Sequence, residues 1–152
     1  MAHELSTLTT GGKFFEGPRW HDGAWWVSDF YRHGVFTIAP DGTETQVLEV
    51  DTQPSGLGWL PDGRLLVVSM KDQRVLRQET DGTLVTHADL SGLITGMAND
   101  MVVDDNGRAW VGGFGFDLMG GETPVASPLI RVDPDGTLSV AAAELMFPNG
   151  SV

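Results

Sequence analysis

Glu16-Gly-Pro-Arg-Trp-His-Asp-Gly23, Ser55-Gly-Leu-Gly-Trp-Leu-Pro-Asp-Gly63 and Asn99-Asp-Met-Val-Val-Asp-Asp-Asn-Gly107 are three versions of one pattern. Each is followed by an apolar run and later by Asp-Gly-Thr, at Asp41-Gly42-Thr43, Asp81-Gly82-Thr83 and Asp135-Gly136-Thr137. The units begin about 40 residues apart, the period of a four-stranded repeat that packs radially on its neighbours as a blade of a β-propeller. A further unit opens at Asn149-Gly150. The chain is therefore read as all-β, one partial β-propeller domain over residues 1–152 with units starting near 16, 55, 99 and 149: about three blades and the start of a fourth.

Within each unit a first hairpin is marked by His21-Asp22-Gly23, Pro61-Asp62-Gly63 or Asp105-Asn106-Gly107, residues that accept the positive φ of a tight turn. Trp25-Trp26-Val27, Leu65-Leu66-Val67-Val68 and Ala109-Trp110-Val111 are apolar at consecutive positions, which predicts strands covered on both faces. Val35–Ile38, Val75–Arg77 and Leu129–Val132 follow as third strands. Beyond the second turns, Thr45–Leu48 and Leu84–Thr86 are outer strands. No stretch of a dozen residues carries a helical period, and Gly and Pro punctuate the chain at strand-like intervals.

The chain of 152 residues is 41% hydrophobic, enough for a packed core. With no cysteine, disulfides, zinc–thiolate sites and thiol catalysis are excluded. A net charge of −12 without a basic patch argues against nucleic acid as a partner. The opening residues lack a basic segment followed by an apolar one, and no apolar run approaches the roughly 18 residues of a membrane span. A cytoplasmic protein with no membrane partner is expected.

Chemistry is sought where the repeats differ. The residues that open the units are Glu16, Ser55, Asn99 and Asn149. Equivalent positions of propeller blades lie at one level around the axis, so these side chains are expected to converge. They offer oxygen alone, the ligand set of a hard cation such as Ca²⁺. Taken singly, each is equally explained as a strand opener or turn cap; their common register is what points to a site.

Glu16-Gly-Pro, Asn99-Asp100 and Phe147-Pro-Asn149-Gly150 together resemble the regucalcin/gluconolactonase family of six-bladed β-propellers. The resemblance covers essentially the whole chain and about the first half of a family member. It implies a divalent metal on the axis, most simply Ca²⁺, with Zn²⁺, Mg²⁺ or Mn²⁺ as alternatives. Glu16 and Asn149 would be metal ligands, and Asn99 would bind substrate, the metal, or both. The family's third ligand, an Asp from a later blade that also serves as the usual base candidate, has no counterpart here. Asp100 is a weak candidate for that role, since strand alternation can turn it away from the axis. Met97 stands where lactone-hydrolysing members often carry an Arg.

The implied activity is hydrolysis of a cyclic ester, with the metal polarising the carbonyl and positioning water. The substrate would be a small-molecule lactone. A non-catalytic binding or scaffold propeller and a related phosphotriesterase are the alternatives. About ten extra residues around Phe114–Glu122 form a loop expected near the pore, either a lid or an ordinary insertion, with Phe116 and Asp117 as its candidate substrate contacts. Three blades leave apolar faces and strand edges uncovered, so the chain is expected to be the N-terminal half of a longer enzyme, or to associate with a copy of itself through the open edges.

Other signals are absorbed by the fold. Asp133-Pro-Asp135-Gly136 lacks the later ligands of a calcium loop and is read as a turn. The glycines of Val111–Phe116 precede no helix and do not form a nucleotide cradle. His3, His21, His33 and His87 lack metal-ligand spacing, and the five tryptophans are read as packing between blades.

Overall fold

The computed structural model describes residues 4–117 and 120–151; His3, Leu118 and Met119 of the third-unit loop, and Val152 lie outside them. Each unit is an antiparallel meander of four strands. The first sheet comprises β1 (Phe15–His21), β2 (Ala24–Asp29), β3 (Gly34–Ile38) and β4 (Glu44–Glu49). The second comprises β5 (Pro54–Trp59), β6 (Leu65–Ser69), β7 (Arg74–Gln78) and β8 (Leu84–Asp89). The third comprises β9 (Met97–Val103), β10 (Ala109–Phe114), β11 (Ser127–Val132) and β12 (Leu138–Leu145). These are three blades of a β-propeller, with the strands where the apolar runs place them.

The repeated Asp-Gly-Thr has a local cause. In each copy the Asp carboxylate accepts the Thr backbone N–H two residues on, at 2.9 Å for Asp41, 3.0 Å for Asp81 and 2.9 Å for Asp135. This side-chain turn leaves the intervening glycine at positive φ and joins the third strand to the fourth. Asp133-Pro-Asp135-Gly136 is the third of these turns, closed by Gly136 N–H to Asp133 C=O at 2.8 Å. In the first hairpin, Asp22 and Gly23 both take positive φ between the paired residues His21 and Ala24, a two-residue turn.

The second sheet shows why a strand can be apolar at every position. On β6, Leu66 and Val68, with Met70 just beyond, pack into a core shared with Ala98, Met101, Val111 and Ile130 of the third sheet. The alternate residues Leu65 and Val67 pack into a core shared with Val35 and Leu48 of the first. Side chains alternate across a strand, so a blade between two neighbours is buried on both faces. Each such side chain contributes about 1.5–3 kcal/mol.

The first sheet departs from the expectation for its tryptophans. Trp26 meets Trp59 of the second sheet edge-on, with centroids 5.3 Å apart, and His21 stacks on Trp59. Trp25 and Trp20, one residue out of phase, point to the opposite face; they pack edge-on against each other and stay 41% and 55% exposed. Trp110 remains on its own sheet, beneath Arg108 and donating to Asp104 at 3.3 Å. Of the five tryptophans, Trp26 and Trp59 pack across blades, with His21.

The first strands of neighbouring sheets approach so closely that side chains are excluded at chosen points. A Cβ on Gly56 of β5 would collide with the backbone N of Met101 on β9. A Cβ on Gly17 of β1 would lie 3.0 Å from the Ser55 carbonyl oxygen, and its φ of +54° suits glycine. The N-terminal segment is fastened by buried Asp29 at the end of β2. Its carboxylate accepts the backbone N–H groups of Lys13 (2.7 Å), Phe14 (3.1 Å), Tyr31 (3.2 Å) and Arg32 (3.3 Å), capping the 3-10 turn Phe30–Arg32.

Gly56→Ala is expected to lower stability by about 1–3 kcal/mol, as overpacking at a backbone contact does. Gly92→Ala, whose Cβ would meet nothing within 4 Å, is the matched neutral control. Urea midpoints of the two variants check this. His87 on β8 is buried; burial and then the Arg77 cation push its ring below its ordinary pKa, against the opposing pull of the Asp133 backbone. The unfolded chain therefore takes up this proton first. Stability is intact above about pH 6.5 and declines as pH falls below it. Urea midpoints measured from pH 7.5 to 5.5 should fall, and His87→Gln should flatten that slope.

Candidate functional site

The ladder between the first two strands of every unit slips by one residue. Glu16 pairs with Ser28 and Arg19 with Trp26; Pro54 pairs with Ser69 and Leu57 with Val67; Ala98 pairs with Gly113 and Met101 with Val111. Two residues of the first strand then face one of the second: Gly17-Pro18 opposite Val27, Ser55-Gly56 opposite Val68, and Asn99-Asp100 opposite Gly112. Such a bulge breaks strict alternation and re-aims the side chains beside it. Ser55 and Asn99 lie inside their bulges. Glu16 sits one residue ahead of its own, because Pro18 has no N–H for the ladder and takes the unpaired stretch with Gly17.

From these bulges a polar chain runs across three units. Ser28 Oγ on β2 donates to the Ser55 carbonyl at 2.5 Å. Ser55 Oγ donates to Asn99 Oδ1 at 3.0 Å, and Asn99 Nδ2 donates to Asn149 Oδ1 at 3.0 Å. Asn99 is 3% exposed, so both ends of its amide are committed within the protein. The Asn99–Asn149 bond holds the segment after β12 against β9, and Asn149 Oδ1 also accepts the neighbouring Gly150 N–H at 3.0 Å. The structure thus links Ser55, Asn99 and Asn149 in one hydrogen-bonded line, with Asn99 in the middle; among the described residues no hydrogen bond joins the Glu16 side chain to it.

Asp100, 4% exposed, is engaged on both oxygens, by Arg19 Nη2 at 3.2 Å and by the Ser151 backbone N–H at 2.8 Å. The same Arg19 nitrogen donates to the Met101 carbonyl at 2.6 Å and the Ser151 carbonyl at 3.3 Å. Arg19 therefore ties the first blade to the third and to the opening of the fourth. Glu16 is partly buried beside this pair. Burial pushes its carboxyl above the usual range; the Gly17 N–H pulls the other way, and the Asp100 charge adds to the rise.

In the third-unit loop, Phe116 turns inward. It packs against Phe114 and Phe147, with centroids 5.9 and 6.4 Å away. Asp117 stays exposed and braces the loop, its Oδ1 accepting from Gly120 N–H and its own N–H donating to Glu122 Oε2, both at 2.8 Å. Asp117 also borders a cavity of about 350 Å³ with Phe30, Met70, Met97 and Phe114. Neither the bulges nor the Arg19 bridge is visible in the sequence, where Arg19 is an unremarked residue after Gly-Pro; the proline was the available signal for the first bulge.

The oxygens that could turn to a cation are the Glu16 carboxylate, the Ser55 hydroxyl, Asn99 Oδ1, which already accepts from Ser55, and Asn149 Oδ1, which accepts from Asn99 Nδ2 and the Gly150 N–H and would have to release one of them to bind an ion. Among the described residues, no cluster of three or more His, Cys, Asp or Glu is placed to hold a metal. A site here would rest on one carboxylate and neutral oxygens, a hard-ion donor set of low charge.

The profile of the SMP-30/gluconolactonase/LRE-like region matches residues 14–152. The chain belongs to this family. No curated protein matches it. Among solved structures, this family member is similar to a gluconolactonase of Xanthomonas campestris, at 25% identity over 95% of this chain and 52% of that one, with a TM-score of 0.76. It is also similar to the calcium-binding protein regucalcin of Agrobacterium tumefaciens strain C58, at 23% identity over 90% and 45% of the two chains and a TM-score of 0.69. A luciferin-regenerating enzyme shares 19% identity over 90% and 48%, with a TM-score of 0.73. The chain spans about half the length of the solved structures it matches. As the β-propeller fold of these SMP-30/gluconolactonase/LRE-like neighbours requires, the first strands of its blades lie side by side. Among the described residues no helix is long and apolar enough to cross a membrane.

Arg19→Gln should leave the Asp100 carboxylate short of its cationic partner and lower stability by about 1–3 kcal/mol. Thermal denaturation measures the loss, and faster amide exchange at Ser151 would locate it.

Proposed function

We propose that the protein is a divalent-metal-dependent lactonase whose ion is held by Glu16, Asn99 and Asn149, with Ca²⁺ as the ion. The hydrogen-bonded run Ser55–Asn99–Asn149, with a partly buried Glu16 that feels the charge of Asp100 next to Asn99, carries this reading. It supports a hard cation because every donor is oxygen, and because Glu16 and Asp100 supply two carboxylates against the single Arg19 guanidinium. Family membership and the similarity to a gluconolactonase and to a calcium-binding regucalcin support the lactonase reading and the choice of Ca²⁺.

When bound, the ion supplies Lewis-acid activation of a carbonyl and a more acidic water. The residues of this chain do the positioning. Ser55 fixes the Asn99 amide, and Asn99 in turn fixes Asn149, so the oxygens are oriented before substrate arrives. Arg19 and Ser151 hold Asp100, which acts as a fixed charge beside Glu16. The reaction adds one water across the ring ester: the water oxygen bonds to the carbonyl carbon, the ring C–O bond breaks, and the departing alkoxide takes a proton to give a hydroxy acid.

Calorimetric titration with Ca²⁺ should show binding that Glu16→Gln weakens about tenfold or more. Because the Glu16 carboxyl is raised, acid should begin to displace the ion at a higher pH than an ordinary glutamate would allow. Hydrolysis of a simple lactone should stop on addition of chelator. Equal Ca²⁺ affinity in the wild type and Glu16→Gln would overturn the ligand assignment.

A further inference from the structure

The cavity of about 350 Å³ lies at the same end of the blades as the polar chain. In an antiparallel meander the start of the first strand and the end of the second share an edge. Ser55 and Asn99 sit near the starts of β5 and β9. The cavity wall comes from residues at or just beyond the ends of β2, β6 and β10: Phe30, Met70 and Phe114. Met97 joins the two features, because it borders the cavity and lies two residues before Asn99 on β9, a separation of roughly 7 Å along a strand.

Its apolar wall is made of the phenyl rings of Phe30 and Phe114 and the thioethers of Met70 and Met97. Phe30, Met70 and Phe114 are themselves packed into the core, so the wall is fixed rather than adaptable. A hydroxyl placed against these four side chains would lose its water with no partner from them, a cost of about 1–3 kcal/mol, and the polyhydroxylated substituent has more such groups than Tyr31 and Gln53 can pair. An alkyl or aryl substituent would gain from burial. Polar groups also line it: Tyr31, Lys71 and Asp117 are exposed, and Gln53 is partly buried. The volume is at the lower end of the roughly 300–1,000 Å³ typical of small-molecule sites, enough for a ring or a short chain.

We infer that this cavity is the subsite for an apolar substituent, and that the preferred substrates are alkyl- or aryl-substituted lactones rather than polyhydroxylated ones. The inference rests on the lactonase reading for the position of the reacting ester. A lactone whose carbonyl lies at the Glu16–Asn99–Asn149 oxygens would carry its substituent past Met97 into the cavity. Met97 is then the residue that sorts substrates, and Met70 and Phe114 form the floor.

Two measurements on the 152-residue chain with Ca²⁺ separate this inference from the reading beneath it. The first is binding, by calorimetry, of γ-lactams bearing hydrogen, ethyl, butyl, hexyl or phenyl, together with gluconolactam; these analogues resist hydrolysis. Affinity should rise by about fourfold per methylene until the cavity fills, with gluconolactam weakest. Met97→Gln should flatten the series, and Met97→Leu should keep it. The second is hydrolysis of the matching lactones. Substituent-dependent binding without hydrolysis would support the subsite and overturn the lactonase reading. Metal-dependent hydrolysis with affinity indifferent to the substituent, or a series unchanged in Met97→Gln, would overturn the subsite and leave the lactonase reading in place.

Discussion

The first strands of the three sheets approach one another within backbone contact distance, and the rest of the architecture answers to that crowding. Gly56 lies where any side chain would strike Met101, and Gly17 lies against the Ser55 carbonyl. Strands this close cannot interpose an apolar layer. The buried polar atoms of the bulges must therefore be satisfied by the neighbouring blade, since a buried donor or acceptor without a partner costs about 1–3 kcal/mol. Ser28 bonds the Ser55 carbonyl, Ser55 bonds Asn99, and Arg19 bonds the Met101 carbonyl. The polar seam of the candidate site is thus a condition of the packing as well as a place for chemistry.

The bulges set which atoms that seam presents. In a regular strand Asn99 and Asp100 would point to opposite faces. With both residues opposite Gly112 alone, Asn99 reaches the Ser55–Asn149 line while Asp100 reaches Arg19 and Ser151. Gly112 in turn has no side chain where Pro148 of the next unit approaches. Close approach, bulge and polar seam recur from blade to blade, and the structural and functional roles of these residues cannot be separated by position alone.

Much of the fold was legible because it is written in local chemistry. The Asp-Gly-Thr copies make the same side-chain turn, and the apolar runs of β6 fill two cores by simple alternation. What was not legible depends on partners distant in sequence. Trp20 and Trp25 look like the interblade Trp26 until the phase of their strands relative to the second sheet is known. Phe116 reads as a loop residue but packs with Phe114 and Phe147. Arg19 bonds residues 81, 82 and 132 positions away, a span on which local pattern is silent.

The charge balance of the site follows from that long-range bond. Two carboxylates, Glu16 and Asp100, lie within electrostatic reach of each other, and burial raises the Glu16 carboxyl further. Arg19 commits its guanidinium to Asp100 and to the backbone carbonyls of Pro18, Met101 and Ser151, and among the described residues Glu16 has no cationic partner. An arginine that neutralised Glu16 instead would remove the attraction for a cation; one absent altogether would leave two uncompensated carboxylates pressed together in the seam. The observed arrangement leaves one net negative charge among Glu16, Asp100 and Arg19, next to a run in which Ser55 and Gly150 hold the Asn99 and Asn149 amide oxygens. With so little charge, selection of a cation must rest on fixed oxygen geometry, so the hydrogen bonds that order Asn99 and Asn149 matter to the site as much as the carboxylate does.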